Sequence, residues 1–75
     1  LYPNPASGWL GMEYTAIQEG ELRVQVFDAQ GRLQYSQPLP VQAGLNHLRL
    51  SPELPAGLYW VKAEGQPAEK IWWTR

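Results

Sequence analysis

The sequence contains no cysteine, which excludes a disulfide framework and a thiolate metal site. His47 is the only histidine, so no cluster of imidazoles can gather a transition metal. Asp28 is the only aspartate. Basic residues are few and never adjacent: Arg23, Arg32, Arg49, Lys62, Lys70 and Arg75 stand singly in a chain of net charge −1. Nucleic-acid binding calls for a basic patch, and this pattern supplies none. No apolar run approaches the length of a membrane span or of a signal-peptide core. A helical stripe at i, i+3, i+4 and i+7 is missing too.

What the chain does have is period-two alternation. Leu10, Met12 and Tyr14 alternate with Trp9, Gly11 and Glu13, and Leu22, Val24 and Val26 alternate with Glu21, Arg23 and Gln25. The pattern continues through Leu33 and Tyr35, Leu48 and Leu50, Tyr59, Val61 and Ala63, and finally Ile71 and Trp73. Such alternation marks half-buried strands. Seven Gly and seven Pro divide the 75 residues into pieces of strand length. The expectation is an all-β antiparallel sandwich of six or seven strands, formed by two small sheets packed face to face. Its core should hold Leu10, Met12, Leu22, Val24, Val26, Leu48, Leu50, Tyr59, Val61 and Ile71.

The turns have their own chemistry. In "DAQG", Asp28 can accept backbone N–H groups while Gly31 supplies a positive φ that closes a short hairpin. In "LPAG", Pro55 presets a turn and Gly57 releases the next strand. Pro38 and Pro40 in "QPLP" place that segment on an edge or in a crossover. At the start, Pro3 and Pro5 in "LYPNPASG" hold Tyr2 and Asn4 extended. Residues 1–8 therefore read as an extended leader and residues 9–75 as the sandwich. Leu1 stands where an initiator Met is expected, so the leader is expected to mark a seam with a larger protein upstream.

Catalytic chemistry finds little support. Ser7, Ser36 and Ser51 offer hydroxyls, but His47 alternates out of phase with Leu48 and Leu50, and Asp28 is occupied by its turn. The Glu residues fall on outward positions, where solvated surface charge explains them. No enzyme activity, cofactor or metal is expected. The tryptophans are better candidates for a binding surface. Trp60 lies out of phase with Tyr59 and Val61, and Trp72 with Ile71 and Trp73. Each can therefore point out of the core beside Lys62 and Lys70, unless the leader or the other sheet covers that face of these strands. Trp9 reads as edge packing.

Several segments together resemble a known family. "LYPNPASG" resembles its leader motif, "VQVFDAQGRL" its central hairpin, and "LPAGLYWVKAE" followed by "KIWWTR" its closing strands. The family is the C-terminal sorting domain of the type IX secretion system of Bacteroidota, also called the Por secretion system tail domain. The resemblance runs from Leu1 to Arg75 in the family's order and spacing. It departs in having Trp72 and Trp73 adjacent, where smaller aliphatic residues are more usual.

The resemblance implies an immunoglobulin-like β-sandwich at the C-terminus of an exported protein. The domain would be recognised by the outer-membrane translocon and then removed by a sortase-like peptidase. Its cargo would pass through the periplasm and end secreted or on the cell surface. Residue by residue, Pro3, Asn4 and Pro5 match the leader motif, and Asp28, Gly31 and Arg32 match the hairpin. Gly57, Tyr59 and Val61 match the closing "G-x-Y-x-V" strand, and Lys70 to Arg75, with Lys70 and Trp72 outward, match the terminal strand. Two other functions fit the same fold. One is a carbohydrate-binding module with Trp60 and Trp72 as its platform. The other is a structural fibronectin-like spacer.

Overall fold

A computed structural model describes residues 6–74 of the chain. Strands follow one another along these residues, with no helix among them: β1 (Ala6–Ser7), β2 (Leu10–Ala16), β3 (Gly20–Asp28), β4 (Leu33–Val41), β5 (Gly44–Leu50), β6 (Gly57–Ala63) and β7 (Glu69–Thr74). They form a larger sheet in the order β1-β7-β6-β3-β4 and a smaller one of β2 and β5. The result is the small β-sandwich expected from the alternation. Pairing is antiparallel except at β1, which runs parallel to β7 with Ala6 opposite Trp73 and Ser7 opposite Thr74. The shortest dimension of the molecule is 18 Å, room for two sheets about 10 Å apart.

The two inner faces meet in one core. Leu22, Val24 and Val26 of β3, Tyr59, Val61 and Ala63 of β6, and Ile71 and Trp73 of β7 face Leu10, Ala16 and Leu50 of the smaller sheet. Leu39 and Val41 of β4 close one flank, and Leu54 closes the core from the β5–β6 connection. Met12 and Leu48, expected inside, are only half-buried and pack against the core's margin. They sit directly opposite each other in the β2–β5 ladder. A sheet of two strands lies over one of five, and its middle residues are not enclosed on both sides.

Leu33 departs from the simple alternation as well. A bulge between Val26 and Phe27 pairs Val26 with Tyr35 but Phe27 with Leu33, leaving Gln34 over on β4. An extra residue on one strand reverses the face of what precedes it. Tyr35 therefore stays toward the core, half-buried, while Leu33 turns out and is exposed. The two prolines of β4 lie where the sequence places them, on the strand at the sheet's edge.

Candidate recognition face

The outer face of the larger sheet gathers the outward residues of β3, β4, β6 and β7. Register places Leu33, Phe27, Trp60 and Lys70 in one row across four strands. In the next row Leu58 stands opposite Trp72. Trp60 and Trp72 are therefore diagonal neighbours on adjacent strands, about 7–8 Å apart at the backbone. Relative exposures are 39% for Trp60 and 57% for Trp72, while Trp73, one residue on, is 3% exposed. Alternation alone separates the adjacent indoles: one belongs to the core, the other to the surface. Phe27 and Leu58 are half-buried beneath this strip.

Cations border the apolar strip. The Lys70 ammonium lies 5.8 Å from the centre of the Trp60 ring, within reach of its electron-rich face. Lys62, in the row beside Trp60, donates to the Gln66 carbonyl at 2.8 Å. Arg23 donates to the Ser36 hydroxyl at 3.2 Å on the same face.

Next to the strip, the β3–β4 turn is knitted around Asp28. Its Oδ1 accepts the backbone N–H groups of Gln30 and Arg32, each at 2.9 Å. Its Oδ2 accepts the Arg32 guanidinium at 2.9 Å and the Gln34 amide at 3.0 Å. The Arg32 N–H is the largest influence on the carboxyl. Together with the guanidinium and the Gln30 N–H, it outweighs partial desolvation and holds Asp28 below its ordinary 3.8. Gly31 donates its N–H to the Asp28 carbonyl and adopts a φ of 83°, a conformation that costs a residue with a Cβ. These bonds fix where the row from Leu33 to Lys70 begins.

The residues matched by resemblance fall into separate places. Asp28, Gly31 and Arg32 share one turn, and Asp28 pairs with Tyr59 across the β3–β6 ladder. Tyr59 is buried, and its hydroxyl donates to the Pro55 carbonyl at 2.6 Å, tying β6 to the connection before it. Gly57 opposes the buried Trp73, whereas Lys70 and Trp72 lie on the outer face. Pro3, Asn4 and Pro5 lie outside the described residues. Sequence reasoning missed Phe27, Leu58 and Leu33 as members of the face. The phase of Leu22, Val24 and Val26 marks Phe27 as outward, and the phase of Trp60 does so for Leu58. Only the bulge reveals Leu33.

The remaining candidates for chemistry are dispersed. His47 is exposed on β5, where its Nδ1 lies 3.5 Å from the Glu13 carboxylate, whereas Asp28 ends a strand of the other sheet. Trp9 lies under the Arg49 guanidinium at 4.3 Å. Among the described residues, no three His, Cys, Asp or Glu side chains gather as metal ligands, and no helix is long and apolar enough to cross a membrane.

No curated protein and no solved structure matches the chain significantly. One family does match, over residues 1–71: the secretion system C-terminal sorting domain. That span takes in the Asp28 turn, the Tyr59 strand and most of the outer face. The chain belongs to this family, the sorting signal that directs an attached cargo through the type IX secretion system to the cell surface or exterior.

Proposed function

We propose that the secretion machinery reads this domain through the outer face of the larger sheet, with Lys70 and Trp72 in direct contact. One observation supports this most: two diagonal indoles and Leu33 stand exposed on the outer face of the larger sheet with cations beside them. Contiguous exposed apolar surface of this kind marks an interaction site. Asp28, Gly31 and Arg32 serve the face by fixing the turn at its border. Gly57 and Tyr59 serve it by fixing β6 beneath it. The domain is a passive address with no chemistry of its own. The leader of residues 1–8, with Pro3, Asn4 and Pro5, joins cargo to the sandwich, and its Ala6–Ser7 segment pairs with β7 at the edge of the larger sheet. The cargo crosses the periplasm, the translocon engages the face, and a sortase-like peptidase then removes the domain.

The test is a fluorescent reporter carrying a signal peptide and residues 1–75, expressed in a type IX-competent strain and in one lacking the translocon. The reporter should leave the first cell and remain in the periplasm of the second. Lys70→Ser with Trp72→Ser should leave the purified domain folded and reduce export. Equal export from both strains would remove the sorting role. Normal export of the folded double variant would place recognition on another surface.

A further inference from the structure

The outer face leaves one feature of the fold unused. β2 pairs with β5 along one edge, and along its other edge no strand pairs with it among the described residues. Alternate residues of a strand point their N–H and C=O groups to the same side, so an open edge is a template for another extended chain. Behind this edge lies a groove of ≈ 350 Å³ between β2 and the β6–β7 hairpin. Met12, Tyr14, Thr15, Val61, Ala63 and Pro67 line it, and no residue of β5 does. A second depression shares Tyr14 and Thr15 and continues to Ile17, which is 99% exposed. Edge and groove together run from Met12 to Ile17, about 20 Å of extended chain.

We propose that this edge is a docking groove for an extended peptide of a partner protein. The peptide carries apolar residues at every second position and a basic residue opposite Glu13. Main-chain hydrogen bonds to β2 supply affinity, and the groove receives alternate side chains, as in other strand-addition sites. Met12 and Tyr14 face the groove from β2, so the peptide's apolar residues share their side of the extended sheet. Its remaining residues share the side of Glu13, whose carboxylate is exposed and lies 3.5 Å from the His47 ring. The Glu13 carboxylate calls for a cation on the partner.

A second copy of this chain fits poorly. β2 contains no Lys or Arg. Twofold antiparallel pairing about its middle residue would set Glu13 against Glu13, and like charges directly opposite are destabilising. The site is independent of the outer face, and its failure would leave the sorting role untouched.

The experiment titrates the isotope-labelled chain with a capped heptapeptide alternating valine and lysine, followed by amide chemical shifts. Controls are the valine–glutamate counterpart and a valine–lysine peptide methylated at alternate backbone nitrogens. Saturable shifts should be confined to Met12 through Ile17 and to the β6–β7 hairpin. The lysine peptide should bind up to about fivefold more tightly than the glutamate one, the range of a cross-strand charge pair. The preference should vanish in Glu13→Gln and reverse in Glu13→Lys, both exposed changes that leave the fold intact. The methylated peptide should not bind. Shifts that gather around Trp60 and Trp72, or that are absent, would overturn the proposal. So would an unchanged preference in Glu13→Lys. Concentration-dependent shifts at β2 without peptide would assign the edge to a second copy, and would overturn it as well.

Discussion

Four donor groups converge on the Asp28 carboxylate, and the consequence is a pH dependence of known sign. A carboxyl held below its ordinary 3.8 in the folded state binds its proton more readily when the chain unfolds. Its contribution to stability is therefore complete above that value and is lost as pH falls through the lower, folded one. Asp28→Asn has no such proton to bind. Its stability should be lower than wild type at neutral pH and should change less with acid. Denaturation midpoints at about pH 6, 4 and 3 check this, and parallel curves for the two proteins would contradict it. The adjacent indoles give a second contrast at the same scale. Trp73 is 3% exposed, and Trp73→Ala should cost about 3–5 kcal/mol. Trp72→Ser should cost less than about 1 kcal/mol. Comparable melting temperatures for the two variants would mean that the faces of β7 are reversed.

Elements were legible wherever one face of a strand was clean. β3 and β6 follow their alternation, and Asp28 with Gly31 marks the hairpin turn. The bulge on β4 was not legible, because alternation cannot show a residue inserted into a ladder. Alternation alone puts Leu33 on the inner face, whereas the bulge turns it outward. Nor did the sequence reveal that β2 and β5, separated by two strands of the other sheet, pair only with each other among the described residues. That choice depends on how the sheets divide, and it is why Met12 and Leu48 are less enclosed than their pattern suggests. The corner before β5 shows how such a non-local strand is held. Asn46 accepts the Gln42 N–H at 2.9 Å and donates to the carbonyls of Gln42, Gly44 and Tyr14 at 2.9, 3.0 and 3.2 Å. One side chain thus ties the β4–β5 turn to β2. Asn46→Ala should cost about 1–3 kcal/mol, seen as a lower melting temperature. An unchanged melt would show that water replaces these bonds without loss. Gly44 completes the corner with a φ of 99° that disfavours any other residue.

For the whole molecule the outcome depends on its small size. A domain of this length has a net stability of roughly 5 kcal/mol, so removing two large core side chains exceeds the margin. β7 holds both Ile71 and Trp73 in the core, and it joins β1 to β6 within the larger sheet. It also presents Lys70 and Trp72 on the opposite face. One strand therefore couples folding to recognition. Truncation after Lys70 should abolish the cooperative thermal melt, since Ile71 and Trp73 each contribute about 2–5 kcal/mol. The truncated reporter fusion should then be exported no better than the intact fusion in a strain without the translocon. The paired outer-face variant, Lys70→Ser with Trp72→Ser, should melt near the parent and still export poorly. The two losses share an outcome in the cell but differ in the calorimeter, which separates a missing fold from a missing surface. A truncated chain that melts cooperatively near the parent temperature would show that β7 is not the strand on which the core closes.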